Sequence, residues 1–182
     1  MNLNMNLHDL ALWEQERLKA FAIPHKDADN IIIGQTVGIK EPFKKLTITE
    51  PFEKDGKTQD KKVCVGVKYR ADGKITWVGN ALSQYDEASK WSPAFLLPDF
   101  AIRRHAVIYS VDDEKPIRSI TEEELRLMCL DYGSQNDPQL LLDEYLPIKN
   151  FELLYHWWKE HYKATLRDND NPLAVLLKVR SA

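Results

Sequence analysis

Strand-type and helix-type patterns occupy separate stretches of this chain, and that segregation restricts its fold more than any other feature. Between residues 30 and 111 the runs are β-branched: Ile31 to Ile33, Thr36 to Ile39, Leu46 to Thr49, Val63 to Tyr69 and His105 to Val111. From residue 121 onward, capping signals and helical periodicities take over. A doubly wound parallel sheet requires strands and helices to alternate. The pattern instead predicts one α+β domain over residues 1–182: an N-terminal helix 6–21, a β-rich part 30–111 and a helical part 121–180. The β-rich part is expected to form an antiparallel meander of about five strands, with the helical cluster packed on one face.

Local signals fill in this outline. Leu7, Leu10, Ala11, Leu18 and Phe21 gather on one helical face, Asn6 is a candidate cap, and Pro24 ends the element. The polar run Glu53 to Lys61 reads as an exposed loop, with Pro42 and Pro51 bracketing the strand around Leu46. For the hairpin over residues 63–79, a three-residue loop Ala71-Asp72-Gly73 pairs Tyr69 with Ile75 and Val67 with Trp77. This register collects Lys68, Arg70, Lys74 and Thr76 on the opposite face, so it sorts apolar from charged residues. Thr121 with Glu124 forms a capping box, and Gly133 supplies a stop. A short helix is expected from Asp137 to about Tyr145, and a longer aromatic one from Phe151 to Arg167. Leu173 to Val179 is apolar and fits either helix or strand.

Bulk properties narrow the function classes. No stretch approaches the ~20 apolar residues of a membrane helix, and Met1 to Leu7 lacks a basic leader region. Cys64 and Cys129 stand alone, without Cys or His at metal-ligand spacing. A reducing, cytoplasmic setting without metal or cofactor is expected. The phosphate-binding glycine loop, the G-x-S-x-G elbow and H-E-x-x-H are all missing from the sequence. Pro98-Asp99 followed by Asp113-Glu114-Lys115 matches the loose P-D…D-x-K pattern of metal-dependent nucleases. Pro116 and the turn-like DDEKP run instead favour a solvated turn, so catalysis is not expected.

Charge is divided along the chain. Residues 37–80 carry ten Lys/Arg against six Asp/Glu, whereas residues 111–147 carry three against ten. The acidic stretch points to a non-catalytic protein-binding module, of inhibitor or immunity type, recognising a basic partner surface. Its site residues would be Asp112, Asp113, Glu114, Glu122, Glu123, Asp143 and Glu144. The alternative is a nucleic-acid binder whose hairpin carries Lys61, Lys62, Lys68, Arg70 and Lys74, extended by Arg103 and Arg104. In the predicted register Tyr69 and Trp77 point away from these cations, which leaves base stacking without a platform.

The string Lys68-Tyr69-Arg70…Gly73…Thr76-Trp77-Val78-Gly79 resembles the start of the DNA-binding domain of H-NS-like nucleoid proteins. Those proteins continue with a glycine-arginine loop that enters the minor groove. Asn80-Ala81-Leu82 stands in its place here, so no site residue is carried over.

Overall fold

The computed structural model describes residues 1–130, 146–162 and 171–182. The protein is mixed α+β and mostly sheet, with three helices among the described residues. Its strands are β1 (Asn2–Asn4), β2 (Ala20–Pro24), β3 (Thr36–Lys40), β4 (Phe43–Lys54), β5 (Lys57–Tyr69), β6 (Ile75–Trp77), β7 (Asp86–Glu87), β8 (Arg104–Val111), β9 (Lys115–Pro116) and β10 (Leu173–Ser181). The helices are α1 (Leu7–Glu14), α2 (Glu122–Leu127) and α3 (Leu146–Tyr162). The chain divides into two compact units, one made of Met1 with residues 11–37 and 105–182, the other of residues 2–10 and 38–104.

In the first unit β10 is the central strand. It pairs antiparallel with β2 on one side and β8 on the other, and its start pairs with β9. Gly34 and Gln35 tie the approach to β3 alongside β8, through Gly34 N–H to the Ile108 carbonyl and Ile108 N–H to the Gln35 carbonyl. Leu173 to Val179 is therefore strand, and the predicted helical part does not extend over it. The expected helix 6–21 is also shorter. Asn6 caps α1, its side chain accepting from Asp9 N–H, but Glu16 adopts φ +56 and closes the last turn. Residues 20–24 then form a fully buried strand. Leu18 and Phe21 are buried as the helical stripe predicted; an apolar run this short fits a buried strand equally well.

The capping box appears as read: Thr121 accepts from Glu124 N–H while the Glu124 carboxylate accepts from Thr121 N–H. Helix α3 begins before the predicted cap Asn150, and buries Leu154, Trp157 and Trp158. Phe21 meets Trp157 edge-on, with ring centroids 5.0 Å apart. The Gly133 stop, the 137–145 helix and residues 163–167 of the long helix lie outside the described residues.

The second unit holds a four-stranded sheet in the order β6-β5-β4-β7, and β1 runs parallel to residues 38–40 of β3. A Cβ at Gly38 would sit 2.6 Å from Asn2 Oδ1 and 2.8 Å from Ile102, so a larger residue there would displace both side chains. The core of this unit is Phe43, Val67, Tyr69, Leu97 and Ala101, with Ile102 packed against it. The β4–β5–β6 run is the meander-like portion; of the remaining pairings, only β9 with β10 joins strands consecutive in the described order.

Two local expectations change here. Residues 53–61 are not a loop: β4 and β5 continue through them to a two-residue turn, Asp55-Gly56, with φ of +53 and +71. Paired positive φ values give a turn whose twist matches its strands, so the ribbon stays paired to its tip. Phe43 and Ser92 exchange hydrogen bonds, and Ala88 N–H reaches the Lys45 carbonyl, so odd residues of β4 direct backbone groups away from β5. By that alternation the nitrogen of Pro51 faces the open edge, where no donor is needed. Ile31 to Ile33 is not a strand but an exposed turn.

Candidate ligand-binding face of the four-stranded sheet

The predicted 63–79 register is shifted by one residue. Lys68 pairs with Ile75, Val67 with Thr76 and Gly66 with Trp77, and a four-residue loop, Arg70 to Gly73, closes on the Tyr69–Lys74 pair. Gly73 has φ +70, as a left-handed turn residue does. The slip brings Thr76 to the same face as Tyr69. The buried Tyr69 hydroxyl meets the Thr76 hydroxyl at 2.8 Å and donates to the Ala101 carbonyl at 2.5 Å. Burial pushes the Tyr69 hydroxyl pKa up. Satisfying a buried hydroxyl outweighs hiding Ile75 and Trp77, each of which stays half-buried.

Directly opposed strand residues share a face. Lys44 opposes Lys68, and Leu46 opposes both Gly66 and Glu87, so Trp77 joins the lysines on one face. A Cβ at Gly66 would lie 2.9 Å from the Thr76 carbonyl oxygen and 3.0 Å from the Trp77 ring, so glycine gives the indole its place. Two opposed lysines repel each other; Glu87 sits between them, 3.0 Å from each ammonium. Hydrogen bonds from Lys68 and then Lys44 hold the Glu87 carboxyl below the ordinary carboxylate value. The Phe43–Ser92 bridge carries Trp91 alongside. Its ring centroid is 4.9 Å from Lys44 Nζ and 5.9 Å from Arg70 Cζ. Trp91 and Tyr85 are each 38% exposed, and Tyr85 meets Trp77 edge-on at 5.2 Å. A cleft of about 750 Å³ adjoins Tyr85, lined with it by Thr47, Ile48, Thr49, Ser83, Gln84 and Asp86. Further out along the ribbon, Lys61 lies 5.8 Å from the Phe52 ring centroid.

The other predicted cations are engaged within the same unit. Lys62 is 4.0 Å from Asp86, and Lys74 is 4.0 Å from Asp72. Arg103 lies over the Tyr69 ring at 3.8 Å and makes paired hydrogen bonds to both Glu41 and Asp72. Burial works against the Arg103 charge, but the Glu41 and Asp72 carboxylates outweigh it and raise its pKa. Arg104 also bonds to Glu41, whose side chain is wholly buried. Arg103 therefore ties the β5–β6 turn to Glu41, and Arg104 is engaged by the same carboxylate, so neither extends the cationic face.

Among the acidic candidates, Asp112 pairs with Lys178 at 3.3 Å, Glu114 with His25 at 2.6 Å and Glu122 with Arg126 at 2.8 Å. Asp113 and Glu123 are exposed and make no ion pair among the described residues. Asp143 and Glu144 lie outside them. Of the nuclease-like string, Asp99 pairs with Lys40 at 3.2 Å and Lys115 with Glu124. No cluster of three or more His, Cys, Asp or Glu suited to a metal occurs among the described residues. No described helix is long and apolar enough to cross a membrane.

Trp91, Tyr85 and Glu87 were not found from sequence. All three fall in the stretch read as a loop around Ser83 to Pro93, and only their pairing with β4 brings them to the lysines. The one available signal was compositional: two large aromatics flanking Asp86-Glu87 in an otherwise polar segment. No protein-family model, curated protein or solved structure matches the chain.

Proposed function

We propose that this protein is a non-catalytic binding protein and that its ligand is a nucleic acid held on the Lys44–Lys68–Trp91 face. The observation that carries this reading is the half-exposed Trp91 ring beside two cations, Lys44 and Arg70. Cations that track phosphates, next to aromatic rings that accept bases, are the two components such binding requires. The surrounding unit has thirteen Lys/Arg against ten Asp/Glu, although the whole chain carries −3. Cys64 and Cys129 form no disulfide, which fits a reducing, cytoplasmic setting.

A second reading keeps the acidic surface as the site of a protein partner with a basic face, as an inhibitor or immunity-type protein would use. Exposed Asp113 and Glu123 favour it. The ion pairs of Asp112, Glu114 and Glu122 subtract from it, because a partner would have to replace them.

Fluorescence anisotropy with labelled oligonucleotides, at about 50 and about 200 mM salt, separates the two. Nucleic-acid binding predicts an affinity that falls steeply with salt and falls again in Lys44→Ala/Lys68→Ala. Absence of binding at the lower salt would remove the reading and leave the acidic surface.

A further inference from the structure

Resting on the nucleic-acid reading, we infer that the ligand is single-stranded, with bases stacked on Trp91 and Tyr85 and its backbone running past Lys44, Lys68 and Arg70. The inference comes from where rings and charges sit along the ribbon. A duplex keeps its base faces inside the stack, so exposed side-chain rings gain nothing from it. Duplex recognition by a two-stranded ribbon would instead send the tip into the major groove. The tip is ill suited to that. Residues 50–62 carry four lysines, Lys54, Lys57, Lys61 and Lys62, against four acids, Glu50, Glu53, Asp55 and Asp60. On insertion those carboxylates would approach phosphates with no net attraction to offset them.

The root of the ribbon has the opposite character. Lys44 and Lys68 share a single carboxylate, Glu87, and Trp91 lies beside Lys44 and Arg70. Trp77 braces Tyr85 edge-on, which fixes the orientation of the outer ring. The cleft of about 750 Å³ beside Tyr85 is lined by residues with hydroxyl or amide groups, Thr47, Thr49, Ser83 and Gln84. Those groups can hydrogen-bond the edge of an unpaired base, which a duplex does not present.

The test compares a single-stranded oligonucleotide with its own duplex, in direct titration and in competition, using the full chain. The single strand is expected to bind at least about tenfold more tightly than the duplex. Trp91→Ala should cost the single strand about tenfold, Trp91→Phe should restore most of it, and neither should change duplex binding. Circular dichroism of Trp91→Ala should match the parent. Equal binding of both forms, or wild-type affinity in Trp91→Ala, overturns the single-strand inference while nucleic-acid binding survives. Binding of neither form removes the function reading itself.

Discussion

Glu87 sets the strength of the candidate face, because one carboxylate occupies both lysines that a phosphate would need. Its folded pKa is depressed below 4.5, so its contribution to stability is complete above that value and is lost as pH falls through the folded pKa. Pairs this exposed stabilise the fold by at most about 1 kcal/mol. On the proposed nucleic-acid reading their effect on binding is larger, since each lysine released would replace a counterion on the ligand. Glu87→Gln should therefore bind single strands more tightly. It should also steepen the log–log salt slope by about 1.4, or about 0.7 for each of two lysines. A titration series at several salt concentrations reads both effects, and a slope unchanged from wild type would show that the lysines do not meet phosphate. The melting curve should scarcely move.

At the level of elements, what could be read from sequence was local, and what escaped depended on distant partners. The Thr121–Glu124 capping box is contained in four adjacent residues and was legible from them alone. Thr121→Ala should cost about 1 kcal/mol, or roughly 2–4 °C in Tm. Thr121→Ser should recover most of that loss, and equal melting of Ala, Ser and wild type would show that the cap contributes nothing. Strand β2 was misread because Leu18 and Phe21 satisfy a helical stripe as well as a buried strand, and only its pairing with β10, 150 or more positions away, decides. The hairpin register was misjudged for a related reason. Side-chain sorting favoured one alignment, but a hydroxyl link from Tyr69 to Thr76 and Ala101 holds the neighbouring one. That slip also moved Trp77 to the lysine face, so the aromatic half of the candidate site could not be inferred until the register was known.

Across the whole molecule, charge is divided between the two units: thirteen Lys/Arg against ten Asp/Glu in one, twelve against eighteen in the other. The sequence pI of about 6.0 averages over that difference. A different consequence follows from the ribbon, whose outer β4 edge pairs with β7 only at Leu46 and Thr47. Beyond them no described strand pairs with that edge, and Pro51 turns its ring nitrogen toward it. A neighbouring copy sliding into place would meet carbon where it required a donor, and growth by strand addition would stop there. Pro51→Val should restore the donor and make the arm adhesive. Sedimentation velocity across a concentration series should then report self-association in the variant, whereas wild-type behaviour would mean that Pro51 does not guard the edge. A single imino ring would thus keep a long, exposed hairpin from seeding fibres.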